Sequence, residues 1–307
     1  MRPVFIGGCS RSGTTLLGSM LGAHSVALCT PESQFKTEAF LEHDPLNPNA
    51  DLAAAFTWLR HHRRFRFWGL PASPADAKLD DGYRGLLEWI VGRYGDSVGK
   101  HEATVWVDHT PNNLERGRAL LSVFPEARFV HIVRDGRAVA ASVLPLDWGP
   151  NTIREAATWW ASKLAFGLAA ESHLASDQII RVRYEDLLHH PERELERLCE
   201  ALDMPFEERM IDATGFQAPS YTTTQHELVG QLPNASRADR WRTQLSDRDI
   251  EIFEARAQDL LVYLGYEPVV GGTARDATRG ELWRFALINL VRKGILNKLR
   301  KRRRRKA

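Results

Sequence analysis

The 307-residue chain is poor in cysteine: Cys9, Cys29 and Cys199 are all it has. So sparse and odd a set excludes a disulfide framework and fits a reducing compartment, so a cytoplasmic location is expected. Long apolar runs are absent too. None approaches the roughly 20 residues that a membrane span needs. Residues 3–8 are too brief for a secretory signal and read instead as a strand. There is no internal repeat. Acid is missing from residues 282–307, which hold eleven Lys/Arg. The other 281 residues carry 30 basic against 39 acidic side chains, a net of −9. An acidic body thus ends in a strongly basic tail, a split that bears on partners rather than on fold.

What is present is an alternation of short apolar runs with helix-period segments. Strands are expected over residues 4–8, 26–29, 105–108, 128–133 and 178–182. Helices are expected over 13–23, 112–123, 152–175, 191–202 and 247–264, with a further one running from the 134–137 loop to residue 143. Residues 34–100 read as helical and loop-rich with a break near 69–74, and residues 215–240 as one long loop. Strands alternating with helices predict a three-layer α/β, P-loop-like fold: a central parallel sheet flanked by helices. One domain is expected over residues 1–270, followed at 271–307 by a basic amphipathic helix and polybasic tail.

The first run, "PVFIGGCSRSGTTLLGSML", reads strand, glycine-rich turn, helix. That arrangement aims backbone N–H groups and a helix N-terminus at one point, a ready anion site. Set against G-x-x-x-x-G-K-[ST], Gly8 and Gly13 have the right separation and Thr15 takes the Ser/Thr position. The lysine that reaches the β- and γ-phosphates of a triphosphate is missing, and Thr14 stands in its place. Positive charge comes instead from Arg11. Arg11, Ser12, Gly13, Thr14 and Thr15 are therefore candidate anion ligands. The same residues also read as a plain strand-to-helix turn.

A second motif, "RFVHIVRDGRAVAAS", puts Arg134 at a strand's carboxyl end and Ser142 two turns into the next helix. Ligands of open α/β sheets bind at that end. Arg134 is suited to pair a second phosphate, and Ser142 to donate to the same group. The alternative is a structural Arg134–Asp135 ion pair.

Together these segments resemble the sulfotransferases that use 3′-phosphoadenylyl sulfate, and within them the tyrosylprotein sulfotransferase branch and its bacterial relatives. Residues 5–24, 124–142 and 182–195 carry the tight part of the likeness, and residues 3–266 the loose part. The resemblance implies transfer of the donor's sulfuryl group to a hydroxyl acceptor (glycan, lipid, small molecule or tyrosine), without a metal. It implies that Glu32, 21 residues beyond Arg11, is the general base; the bland alternative is an acid capping the next helix. Arg11 would sit by the sulfuryl and bridging oxygens. His109 aligns with a lysine that donates to the phosphosulfate in many relatives, or else it caps the following turn. Tyr184 matches a donor-contacting tyrosine, or is a core tyrosine. Arg240 matches a basic residue on the 3′-phosphate side, with residues 225–234 as the loop over the adenosine. A further arginine of the branch is Leu146 here, which leaves one contact missing or supplied by Arg137 or Arg240.

Positions that receive acidic peptides in the branch are Gln34 and Glu38, which argues against a simple acidic-peptide acceptor. The stretch "RHHRRFRFW", residues 60–68, reads either as an acceptor-facing basic patch or as a helix face with solvated arginines. The tail, with Leu282, Trp283, Phe285, Leu287, Ile288, Leu290 and Val291 ahead of its cations, reads as an interfacial helix or, alternatively, as a helix docked on the domain with a disordered charged end. An interfacial helix predicts peripheral contact with an anionic membrane and no nucleic-acid partner. Two rival functions stand beside the transferase: a P-loop kinase, for which Asp108 is the one Mg²⁺-holding candidate, and a catalytically silent nucleotide-binding membrane adaptor.

Overall fold

The computed structural model describes residues 1–47, 49–70, 81–216 and 234–298, apart from the Leu296 side chain. The expected break near 69–74, the adenosine-side loop at 225–234, most of the 215–240 loop and the cationic residues 299–307 lie largely or wholly outside them.

The chain begins β1 (Arg2–Gly8), α1 (Thr14–Gly22), β2 (Ala27–Thr30), α2 (Gln34–Glu42), α3 (Leu52–His61), α4 (Arg63–Arg66) and α5 (Gly82–Ser97). It continues β3 (Val105–Asp108), α6 (Gly117–Val123), β4 (Arg128–Val133), α7 (Gly136–Val143), α8 (Ile153–His173) and β5 (Ile179–Arg183). Then come α9 (Tyr184–His189), α10 (Pro191–Ala201), α11 (Trp241–Gln244), α12 (Asp247–Tyr263) and α13 (Arg279–Val291). All strand pairs are parallel, in the order β2-β3-β1-β4-β5.

Alternation within the strands explains the layers, because successive side chains point to opposite faces. Val4 and Ile6 of β1, Val105 and Val107 of β3, and Val130 and Ile132 of β4 pack on one face with α1, α9 and α10. Phe5, Trp106 and Phe129 point the other way, among Phe56, Leu86 and Ile90 of α3 and α5. A third cluster joins Trp160 of α8, Phe253 of α12, Trp241 and Phe285 of α13. A parallel sheet buried on both faces is the fold that the alternation predicted.

The expected single helix over 112–123 is instead a 3₁₀ turn, Pro111–Arg116, followed by α6. The cause is Asn113. Its Nδ2 donates to the Ile6 carbonyl and to Asp108 Oδ1, each at 2.9 Å, and so draws the first turn onto the sheet. All three cysteines are buried and free. No helix among the described residues is long and apolar enough to cross a membrane. The last helix, α13, opens on a Thr278–Glu281 capping box and lies against the domain through Phe285, Asn289 and Arg292.

Candidate active site

Every candidate residue but Ser142 and Arg240 follows the carboxyl end of a strand. Across the sheet order they run Glu32 after β2, His109 after β3, Arg11–Thr15 after β1, Arg134 after β4 and Tyr184 after β5. β1 is the switch point, with crossovers leaving to either side, where open α/β sheets bind ligands. At the usual strand spacing, roughly 14 Å separates the first strand of this order from the fourth.

The loop after β1 is built as an anion cradle. Arg11 takes a left-handed backbone at φ 74° and Gly13 another at φ 101°. Gly13 is needed twice over, since a Cβ there would lie 2.4 Å from Cδ2 of the Tyr184 ring. No side chain caps α1, whose first turn carries the buried Thr14 and Thr15. Its leading N–H groups therefore face the loop, where a helix N-terminus favours negative charge. The Ser12 hydroxyl is buried with no partner among the described residues. Such orphaned groups call for an explanation, and an anionic ligand supplies one here.

The second motif closes on the first. Arg134 donates through NH1 to the Arg11 carbonyl at 2.8 Å and lies 4.3 Å over the Tyr184 ring. Arg11 Nε donates to Ser142 Oγ at 3.1 Å, so in this state Ser142 serves Arg11 rather than Arg134. Burial, and then the nearby Arg134 charge, lower the Arg11 pKa, while Tyr184 and Glu32 oppose them. Two guanidiniums brought this close favour an anion between them.

Asp135 does not pair with Arg134. It binds Arg137 at 2.7 Å and caps α7 by accepting from the Arg137 N–H at 2.8 Å. Arg137 also meets Glu254 at 2.6 Å and stacks 4.1 Å over Trp241. So engaged, Arg137 is no substitute for the arginine missing at Leu146, and that alternative is withdrawn. Arg240 is exposed, one residue before Trp241. Tyr184 is wholly buried, between Gly13 and Arg134. It acts as a wedge that sets both anion arms. Beside it Glu185, overlooked in the sequence, accepts from the Asp135 N–H at 3.1 Å and the Tyr266 hydroxyl at 2.8 Å. It thereby ties β5 to the Arg134 loop, and burial raises its pKa.

At the other end Glu32 is mostly covered. Arg64 NH2 lies 3.0 Å from its Oε2, and Gln34 Nε2 donates to the same oxygen at 3.4 Å. Arg64 Nε also donates to Gln34 Oε1 at 3.2 Å. The residue at the N-cap of α2 is Ser33, so capping does not account for Glu32. Ser33 Oγ donates to Asp108 Oδ2, and Ser33 N donates to Thr110 Oγ1 at 2.8 Å. Beneath lies a buried lysine that sequence reasoning missed. Lys36 Nζ sits 3.2 Å from Asp108 Oδ1, donates to Asn113 Oδ1 at 2.5 Å, and stands 5.1 Å from the Phe5 ring centre.

Burial pushes the Asp108 carboxyl up, but Lys36, Ser33, Asn113 and the Thr110 N–H together hold it below the usual range. Both of its oxygens are taken by protein donors. The kinase reading needs an acid open to Mg²⁺ there, and Asp108 is not one. His109 is buried against Phe216, with Nδ1 3.6 Å from Cys29 Sγ. Burial lowers its pKa, against the pull of Glu32 and Asp108. It does not cap the next turn, because Thr110 holds that position.

The reading of 60–68 as an amphipathic helix face with solvated arginines holds for the exposed Arg63 and Arg66, and Arg64 is the exception. Phe65 and Trp68 are buried among Phe35 and its neighbours, and that turns Arg64 toward Glu32. The signal was the i, i+3 spacing of Phe65 and Trp68 on either side of the exposed Arg66.

A P-loop-like α/β fold with an uncapped anion cradle, a second cation arm and a held carboxylate along one edge defines a group transferase. Comparison with known proteins names the group. The profile of the Sulfotransferase family matches residues 3–208, and the chain belongs to that family. Protein-tyrosine sulfotransferase 1 of Danio rerio is 26% identical over 276 residues, covering 86% of this chain and 72% of its own. Protein-tyrosine sulfotransferase of Drosophila melanogaster is 24% identical over 279 residues, 86% of this chain and 52% of its own. Among solved structures, the sulfotransferase domain from the curacin biosynthetic pathway superimposes with a TM-score of 0.60 at 19% identity. That match covers 87% of this chain and 99% of the domain. The protein is a sulfotransferase, an enzyme of sulfuryl transfer.

Proposed function

We propose that the protein moves the sulfuryl group of 3′-phosphoadenylyl sulfate in line to a hydroxyl acceptor, with Glu32 as the base. The observation that carries this reading is the joining of two anion arms through the Arg134–Arg11 bond, over a cradle with an orphaned Ser12 hydroxyl. A donor with a 5′ phosphosulfate and a separate 3′ phosphate asks for two such arms. A triphosphate asks for one arm, a lysine and a metal-holding acid; Thr14 and the engaged Asp108 supply neither.

The donor supplies the sulfuryl group and its phosphate leaving group; the chain supplies position and charge. Arg11, Ser12, Gly13, Thr14 and Thr15 receive the 5′ end, and Arg134, together with Ser142 and Arg240, the 3′ phosphate. The proton of the acceptor hydroxyl passes to Glu32. Arg64 and Gln34 both bind Oε2, so Oε1 is the oxygen turned to that task. As the oxygen–sulfur bond forms, the bond to the leaving phosphate breaks, and its electron pair stays on the phosphate, beside Arg11. His109, held neutral by burial, offers a hydrogen bond where many relatives place a lysine.

The curated relatives are named for protein tyrosine, so a tyrosine hydroxyl is one acceptor that this reading takes. Gln34 and Glu38, at the positions that receive acidic peptides in the resembled branch, speak against a strongly acidic peptide, and Glu38 is itself engaged with His62 at 3.0 Å.

The test pairs calorimetry with turnover. Adenosine 3′,5′-bisphosphate should bind and ATP–Mg²⁺ should not compete with it. Glu32→Gln should keep that affinity and lose about 10²–10⁴-fold in turnover, the span expected of a general base. Tight ATP binding without bisphosphate binding would refute the reading. Bisphosphate binding with no turnover on any hydroxyl acceptor would leave the silent adaptor.

A further inference from the structure

The docked face of α13 is spoken for. Phe285 is buried, Asn289 Nδ2 donates to Glu155 Oε1 at 2.7 Å, and Arg292 NH2 donates to the Leu146 carbonyl at 2.8 Å. The opposite face is not covered. Trp283 is 80% exposed, Leu287 60% and Leu290 71%, and Ile295, one turn beyond the helix, is 58% exposed. Positions 283, 287 and 290 follow the i, i+4, i+7 spacing of a single helical stripe. Elsewhere among the described residues the exposed large apolar side chains stand singly or, as at Val262 and Tyr263, in a pair.

We infer that this stripe is a docking surface for an anionic lipid bilayer, on which α13 lies with its outer face in the headgroup boundary. Charge selects this occupant. Residues 282–307 hold eleven cations and no acid, whereas the remaining body is net −9. A second copy seated on the same stripe would bring two such segments side by side, with no acid within residues 282–307 of either to neutralise them. A bilayer carrying phosphatidylserine answers both features at once: it takes Trp and Leu into its interface and draws the adjacent cations. Docking through Phe285 and Asn289 fixes the helix to the enzyme, so the stripe is presented outward before any membrane is met. The inference does not depend on which donor or acceptor the active site uses.

Vesicle sedimentation of the full chain tests it. The protein should pellet with phosphatidylcholine–phosphatidylserine vesicles, should not pellet with phosphatidylcholine alone, and should be released by high salt. Trp283→Asp with Leu287→Asp should weaken partitioning at least about tenfold. The melting temperature should change by only a few degrees, because both side chains are already mostly in water. Arg302→Gln with Arg303→Gln and Arg304→Gln should weaken it too, without touching the docked helix. Equal pelleting of wild type and the Asp variant would overturn the inference. So would a concentration-dependent dimer, lost in that variant, in protein that ignores both kinds of vesicle, since the stripe would then belong to a second copy.

Discussion

Gly13→Ala should damage the anion cradle through Tyr184. Two costs follow from the geometry. A residue with a Cβ at φ 101° is strained by about 1–3 kcal/mol. The new Cβ would also lie 2.4 Å from Cδ2 and 2.8 Å from Cε2 of Tyr184. That ring is buried in the core with the Arg134 guanidinium 4.3 Å away on it, so it has nowhere to retreat. Overpacking of this kind costs about 1–3 kcal/mol. Together the loss of stability should be about 2–6 kcal/mol, a large part of what an ordinary domain possesses. Urea denaturation at neutral pH measures it, and calorimetry with adenosine 3′,5′-bisphosphate should show affinity falling by at least about tenfold, or roughly 1.4 kcal/mol. Tyr184→Ala removes the clashing Cδ2 and Cε2 atoms and leaves the φ strain. The double variant should therefore be less unstable than the sum of the singles by about 1–3 kcal/mol. A Gly13→Ala protein within about 0.5 kcal/mol of wild type, an ordinary surface effect, would refute the wedge argument.

Lys36→Met leaves Asp108 buried without its cation and Asn113 Oδ1 without its donor, so it should cost about 3–5 kcal/mol in the same assay. Adding Asp108→Asn should recover part of that loss; no recovery would mean that the pair is not the cause. Arg64→Ala frees the Glu32 carboxylate and should lower turnover about tenfold while bisphosphate affinity stays unchanged, as expected of a positioning residue. Equal loss of both would place Arg64 with the donor instead. His109 bears on pH. Its folded-state pKa lies below the ordinary 6.5, so the unfolded chain binds the extra proton. This contribution is fully present above pH 6.5 and is lost as pH falls below it. The melting temperature of wild type should fall more steeply below that pH than the melting temperature of His109→Gln, and parallel curves would contradict it.

Much of the fold was legible because its signals are local. Val4, Phe5 and Ile6 alternate between faces whatever the rest of the chain does, and five such runs separated by helices leave little but a parallel sheet covered on both sides. The anion loop was legible for the same reason, since its glycines and hydroxyls are contiguous. Where the reading failed, a distant partner had intervened. Residues 112–123 have a helical pattern, yet Asn113 is drawn onto β1 and β3. Arg137 looked available for a phosphate until Glu254, 117 residues away, met it.

By itself the sequence determined the order of strands and helices, the missing lysine at Thr14, the cradle residues Arg11–Thr15 and the basic end of the chain, all of them properties of neighbouring residues. Only the tertiary structure decided what each charge does. It paired Arg64 with Glu32, sealed Lys36 against Asp108, set Tyr184 under both anion arms and turned Trp283 and Leu287 outward. The reason is physical. A side chain's charge, partners and burial depend on groups brought near it by folding, and in this chain those groups lie 32, 50, 72 or 171 positions away.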